Sequence, residues 1–166
     1  VPLVVLMICL GASWSYIAAL ALFLAGSLTD WADGWMARRY RIVTNFGKFM
    51  DPVADKLLVL STMISLCGQG LIPSWACVVV LFRELAVDGL RLVAVEQGKV
   101  IAAGKLGKIK TCTQMAMLVA YLLSAIGWLR VPALNWTLLA VAMAMTLWSG
   151  VDYFWKNRAL FAGGLR

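Results

Sequence analysis

The sequence predicts an all-α fold, a polytopic membrane bundle of six transmembrane helices that forms a single domain over residues 1–166. Apolar residues make up 63% of the chain and charged residues only 14%, and the mean hydropathy is +0.87. Soluble domains are about half apolar and about a quarter charged. A spanning helix needs about 20 apolar residues, so the length accommodates roughly six spans with short connectors. The composition excludes a soluble single-core enzyme, a disordered chain and a disulfide scaffold.

Apolar runs and helix breakers place the six spans. The first is expected to be a remnant that ends near Gly11, whose start lies outside the sequence. The other five are expected at about 15–39, 46–71, 75–97, 111–128 and 132–155. A polar connector, 98–110, is predicted between the fourth and fifth spans. Pro52 either kinks the third span or begins a helix that Asp51 caps.

The basic residues orient the bundle. There are 15 Lys and Arg against 8 Asp and Glu, which gives a net charge of +7. Basic residues cluster in the second and fourth connectors and in the tail, and the positive-inside rule places these in the cytoplasm with both chain ends. The positive charge therefore indicates contact with a membrane surface. It does not indicate binding to nucleic acid, since no soluble basic module is present. Asp152 and Lys156 are expected to pair. An aromatic belt near the opposite face is expected from Trp14, Trp75, Trp128 and Trp136.

Half of the acidic residues lie within two predicted spans: Asp30, Asp33, Asp51 and Asp55. Each Asp near the centre of a spanning helix costs about 2.5–3.5 kcal/mol on insertion scales, so these side chains should face the bundle interior. The i, i+3 and i, i+4 spacings place each pair on one helix face. Because a short connector makes the two helices antiparallel neighbours, we expect the four carboxylates around one small volume.

Four carboxylates this close together require cations, and carboxylate oxygens suit Mg²⁺ or Mn²⁺. Mg²⁺ in turn suggests a substrate that carries phosphate. Gly34, Ala37 and Gly47 are small enough to leave room for a ligand close to the backbone, and Arg38 offers a planar phosphate donor. The alternative is a proton or cation pathway, as in an ion-coupled membrane transporter.

The stretch DWADGWMAR, eight residues, then GKFMDPVAD resembles the signature of the CDP-alcohol phosphotransferase family in all eight fixed positions. The resemblance implies a six-span enzyme of the bacterial inner membrane, usually a homodimer, with its active site facing the cytoplasm. Such an enzyme displaces CMP from a CDP-linked lipid with the hydroxyl of an alcohol. The family's usual opening, P-N-x-L-T-x-x-R, is not found in this sequence.

The resemblance also assigns roles by motif position. It implies two divalent ions, Mg²⁺ or Mn²⁺, held by Asp30, Asp33, Asp51 and Asp55. Asp55 would also be the catalytic base. CDP would be bound by Asp30, Asp33, Gly34, Ala37, Arg38 and Gly47.

The flanking text, TDWADGWMARR and TNFGKFMDPVADKLL, resembles the branch whose acceptor is glycerol 3-phosphate. The leading hypothesis is therefore transfer of a phosphatidyl group from CDP-diacylglycerol to sn-glycerol 3-phosphate, among membrane lipids. The alternatives within this reaction class are a cardiolipin-type synthase and a phosphatidylinositol-phosphate-type synthase.

A second basic cluster is predicted to bind the phosphate of the acceptor. Glu84, Asp88 and Arg91 follow i, i+4 and i+7 spacing and form one polar stripe on the fourth span. Alternatively, the acidic and basic side chains of this stripe only neutralise each other within the membrane. The alternative for Lys105 and Lys108 is that they reflect the positive-inside bias alone. The predicted acceptor-phosphate residues are Arg83, Arg91, Lys105 and Lys108.

Overall fold

A computed structural model describes residues 1–40, 45–98, 101, 104–129 and 131–158. Within these ranges the side chains of residues 30, 31, 33–40, 45–52, 55 and 105 lie outside the described part. The described residues form six α-helices and no strand, which confirms the all-α prediction. The helices are α1 (Pro2–Leu10), α2 (Ser13–Tyr40), α3 (Asn45–Gly68), α4 (Ser74–Glu96), α5 (Lys105–Ile126) and α6 (Pro132–Lys156).

The helix ends follow local chemistry. Pro2 and Pro132 each stand at the first residue of a helix, where a missing N–H costs no helical hydrogen bond. α1 ends where Gly11 adopts a left-handed φ of 67° and donates its N–H to the Ile8 carbonyl. α3 stops at Gly68, short of the predicted end, and Gly70 turns the chain with a φ of 73°.

Pro52 lies inside α3, which already begins at Asn45. The prediction that Asp51 caps a helix beginning at Pro52 is therefore wrong. A proline inside a helix removes one backbone hydrogen bond, and the residues before it nevertheless continue the helix.

The predicted connector 98–110 is wrong at its C-terminal end, because α5 already begins at Lys105. Lys108 and Lys110 thus lie on the first turns of a helix and not in a loop. Apart from Gly107, the segment after Gly104 contains only Leu, Ile and Lys up to Lys110, and these residues are compatible with a helix. The positive charge of this segment does not distinguish a cytoplasmic loop from a helix that emerges from a membrane.

The chain forms two compact units. The first comprises residues 1–73 and 118–131, in which α1 packs on both α2 and α3 and these two contact each other. Its fully buried side chains include Ile8, Phe23, Met63, Leu66, Leu118 and Leu122.

The second unit comprises residues 74–117 and the chain from 132 onward. Here α4 packs along α6. The core of this unit is formed by Val87, Leu90, Ala94 and Tyr153, with Ile101 and Phe154 packed against it.

Two helices among the described residues are long and apolar enough to cross a membrane, Leu106–Ile126 and Pro132–Lys156. Shorter apolar helices cover Ser13–Thr29 and Lys56–Gly68. The four tryptophans of the expected belt all lie near helix ends and are more than half exposed. Large exposed apolar side chains at helix ends are typical of contact with the membrane interface. Six spans remain a prediction.

Candidate active site

The Asp motif is carried by two helices of the first unit. Asp30 and Asp33 lie in the C-terminal half of α2, and Asp51 and Asp55 lie in the N-terminal half of α3. Helical geometry keeps each pair within about one turn of its helix. The convergence of the four carboxylates stays a prediction, because their side chains lie outside the described part. The same holds for Gly34, Ala37, Arg38 and Gly47.

α2 and α3 approach each other closely beside this motif. A Cβ placed on Gly26 would lie 3.4 Å from Cδ2 of Leu58. Gly26 precedes Asp30 by one helical turn, and Leu58 follows Asp55 by three residues. Because glycine has no side chain, the two helices meet in direct contact about one turn away from both Asp pairs.

The hydroxyl groups that precede the motif bond within their own helix. Ser27 donates to the Phe23 carbonyl at 2.9 Å, and Thr29 donates to the Ala25 carbonyl at 2.8 Å. Such i→i−4 bonds satisfy a hydroxyl in an apolar setting. Among the described side chains, no group of three or more His, Cys, Asp or Glu could hold a metal. The expectation of a metal site therefore rests on the motif carboxylates.

Arg83 of the predicted acceptor set lies in a buried polar cluster of the second unit. Its Nη1 donates to Oε1 of Glu84 at 3.1 Å, and its Nη2 donates to Oγ of Ser149 on α6 at 3.2 Å. Lys110 on α5 donates to the same Glu84 oxygen, and both side chains of this pair are only 6% exposed. Two cations thus share one carboxylate.

Arg91 is held on α4 by Tyr153 of α6. Its Nε donates to the tyrosine hydroxyl at 3.0 Å, and the guanidinium carbon lies 5.6 Å from the centre of the ring. This is the distance range of a cation–π contact. The contact anchors the guanidinium through Nε.

The described residues do not join the predicted acceptor set into one contact cluster. Arg83 contacts Glu84 and Ser149, Arg91 contacts Tyr153, and Lys108 is exposed on α5. The side chain of Lys105 lies outside the described part. The pair of Lys156 with Asp152 is confirmed at 2.8 Å.

Sequence reasoning missed the partners that α5 and α6 supply. Lys110 is 26 residues from Glu84, and Ser149 is 66 residues from Arg83. Gln114 of α5 also donates to the Thr146 hydroxyl of α6 at 3.0 Å. A signal for this face existed, since Thr146, Ser149 and Tyr153 follow i, i+3, i+7 spacing on an otherwise apolar span.

Residues 1–148 match the CDP-alcohol phosphatidyltransferase family, and the chain belongs to this family. It is 46% identical over 145 residues to the CDP-diacylglycerol–glycerol-3-phosphate 3-phosphatidyltransferase of Bacillus subtilis, covering 86% of this chain and 75% of that protein. It is 41% identical over 151 residues to a probable phosphatidylglycerophosphate synthase of Mycobacterium tuberculosis, covering 90% and 70%.

The protein of Escherichia coli K12 that carries the same name as the Bacillus enzyme is 36% identical over 165 residues, covering 96% of this chain and 88% of that protein. These matches confirm the resemblance that the eight-position motif indicated. They also confirm the prediction of an enzyme, against the alternative of an ion-coupled transporter.

Proposed function

We propose that the chain transfers the phosphatidyl group of CDP-diacylglycerol to the free hydroxyl of sn-glycerol 3-phosphate. The hydroxyl oxygen forms a bond to the phosphatidyl phosphorus, the bond from that phosphorus to the CMP oxygen breaks, and phosphatidylglycerophosphate and CMP leave. The observation that carries this proposal is the complete motif on two helices that touch beside it. The relatives named for this reaction support the choice of acceptor.

In this proposal Asp55 accepts the proton of the attacking hydroxyl. The chain contains no His, so a carboxylate is the available base. The donor set fits hard divalent cations, because all four proposed ligands are carboxylates, Asp30, Asp33, Asp51 and Asp55. The family is generally dependent on divalent metals. When bound, two Mg²⁺ or Mn²⁺ ions neutralise charge on the attacking and leaving oxygens.

The remaining motif residues are proposed to bind the donor. Without large side chains, Gly34, Ala37 and Gly47 let the cytidine lie close to the helix backbones. Arg38 contacts a phosphate through its planar, permanently charged guanidinium. The carboxylates of Asp30 and Asp33 complete the CDP site.

A panel of acceptors tests the proposed reaction. We expect the purified protein to release CMP from CDP-diacylglycerol with glycerol 3-phosphate, and to release little with phosphatidylglycerol or inositol phosphate. The readout is CMP quantified by chromatography, with the phosphorylated lipid product identified by mass spectrometry. Preference for phosphatidylglycerol would establish a cardiolipin-type synthase. Preference for inositol phosphate would establish a phosphatidylinositol-phosphate-type synthase.

The acceptor phosphate is proposed to bind at Arg83, Arg91, Lys105 and Lys108. We expect Arg91→Ala to raise the KM for glycerol 3-phosphate about tenfold or more, since a hydrogen bond to a charged group contributes about 1.5–3 kcal/mol. Lys105→Ala should raise it less, and the KM for CDP-diacylglycerol should change much less in both. Steady-state kinetics with each substrate varied in turn measures these effects.

Two further variants refine this acceptor test. Tyr153→Phe keeps the ring under Arg91 and removes only the hydroxyl that holds Nε, so a smaller rise in the same KM is expected. Lys156→Ala is the matched control, because it removes a cation that is paired with Asp152. An unchanged KM in both Arg91→Ala and Lys105→Ala would mean that the lysines do not bind the acceptor and reflect only the positive-inside bias.

The proposed topology has six spans, with the α2–α3 and α4–α5 connections in the cytoplasm of a bacterial inner membrane. We expect cysteines placed at Val43 and Gly104 to resist an impermeant thiol reagent in intact cells, and a cysteine at Ser74 to react. The experiment requires replacement of the native cysteines, Cys9, Cys67, Cys77 and Cys112. Ready labelling at Val43 and Gly104 would reverse the orientation. A homodimer is proposed from the family resemblance.

A further inference from the structure

An apolar trough runs between α4 and α6 in the second unit. It has a volume of about 730 Å³. Phe82 and Ala86 line it from α4, Gly150 and Phe154 line it from α6, and Arg158 stands among its lining residues just beyond the C-terminal end of α6. Within one described unit, the trough thus combines a long apolar wall with a cation at one end.

Small residues open the trough, and large exposed ones form its walls. Gly150 has no side chain, and a Cβ there would lie 3.3 Å from Cγ of Arg83. Phe82 is 74% exposed and Trp155 is 67% exposed. Contiguous apolar surface of this kind marks a site that an apolar partner covers.

A second cavity of about 540 Å³ lies beside the first, and its described lining residues all belong to α6. One of them is Asp152, whose carboxylate is paired with Lys156. The two cavities share Leu147, Val151 and Trp155. These residues recur every four positions along α6 and form a ridge with one groove on each side. Two parallel apolar grooves that flank a ridge match the two chains of a diacyl lipid.

The charge at the end of the trough selects the headgroup. The guanidinium of Arg158 lies 4.9 Å from the centre of the Trp155 ring, and among the described residues it forms no ion pair. Arg83 also lines the trough, but Glu84 and Ser149 already hold its terminal nitrogens. Arg158 is the lining cation that stands at the end of the trough, where a lipid phosphate would lie.

We propose that this surface binds an anionic diacyl phospholipid of the surrounding membrane, with its chains in the two grooves and its phosphate at Arg158. The inference rests on the proposed membrane embedding and is otherwise separate from the proposed reaction. An extended acyl chain is slim enough to fill such a trough, and the cation at its end complements the lipid phosphate.

Photolabelling in nanodiscs tests this proposal. The full chain is reconstituted with phosphatidylglycerol or phosphatidylcholine that carries a diazirine in one acyl chain, and labelled peptides are mapped by mass spectrometry. We expect labelling on α4 and α6, with phosphatidylglycerol favoured about fivefold, because one Arg near a membrane surface favours an anionic lipid to that extent. Arg158→Gln should abolish this preference and leave CMP release unchanged.

Lys156→Gln is the matched control, since it removes a neighbouring cation that Asp152 already pairs. It should keep the preference for phosphatidylglycerol. Ala86→Phe should reduce labelling by both lipids, because it fills the trough without altering Arg158. Equal labelling of the wild type by the two lipids, or an equal loss in Lys156→Gln, would overturn the proposal.

Efficient crosslinking of Phe82→Cys to a second copy of the chain would also overturn it, since a protein would then cover the trough. CMP release is measured on the same samples. Retained labelling without CMP release would contradict the proposed reaction and leave the lipid site standing.

Discussion

Asp55→Asn is expected to abolish CMP release from CDP-diacylglycerol. The substitution removes the proposed base, which alone contributes about 10²–10⁴ in rate, and it also removes one proposed metal ligand. An amide of the same shape cannot accept the proton of the acceptor hydroxyl. We therefore expect no recovery of turnover at excess Mg²⁺ or Mn²⁺, measured as CMP released per enzyme in detergent.

Asp51→Asn separates the two proposed roles of the carboxylates. It should also abolish turnover at ordinary metal concentration, because it removes a proposed metal ligand. The proposed base is intact in this variant, so any recovery of turnover at excess Mg²⁺ or Mn²⁺ is expected here and not in Asp55→Asn. Asp152→Asn is the matched control and should keep full activity, because this carboxylate pairs with Lys156 near the end of α6. Substantial turnover in Asp55→Asn would refute the assignment of the base. Activity that survives EDTA would refute the metal site itself.

The helix boundaries could largely be predicted, because their determinants are local. Pro132 and Gly11 mark helix ends through backbone constraints that any neighbouring fold would respect. The start of α5 at Lys105 could not be predicted in this way. Lysines are compatible both with a helix and with a cytoplasmic loop, so charge alone does not separate the two.

The two parts of the site also differ in how far local sequence determines them. The Asp motif is compact in sequence and lies on two helices that contact each other beside it, so its convergence is a prediction that spacing alone allows. The basic cluster was predicted as a stripe on α4, from Glu84 to Arg91, since spacing along one helix is visible in sequence. The contacts that fix it come from Lys110, Ser149 and Tyr153, and pairing across helices depends on tertiary packing that no spacing encodes.

Glu84→Gln is expected to destabilise the second unit strongly. Glu84 is only 5% exposed and accepts hydrogen bonds from both Arg83 and Lys110. Removing its charge weakens its bonds to both buried cations, and breaking a buried ion pair costs about 3–5 kcal/mol. For a chain of this size such a loss lowers Tm by roughly 10 °C. Thermal unfolding in detergent, followed by size-exclusion chromatography, measures it.

Two comparisons show whether the buried charge is the cause. Asp152→Asn breaks a pair whose lysine is 67% exposed, and exposed pairs contribute about 0–1 kcal/mol, so its Tm should hardly change. Adding Lys110→Met to Glu84→Gln removes one of the two cations that Glu84 binds and should recover part of the lost Tm, as expected for coupled neighbours. Equal melting of Glu84→Gln and Asp152→Asn would show that the cluster does not stabilise the fold.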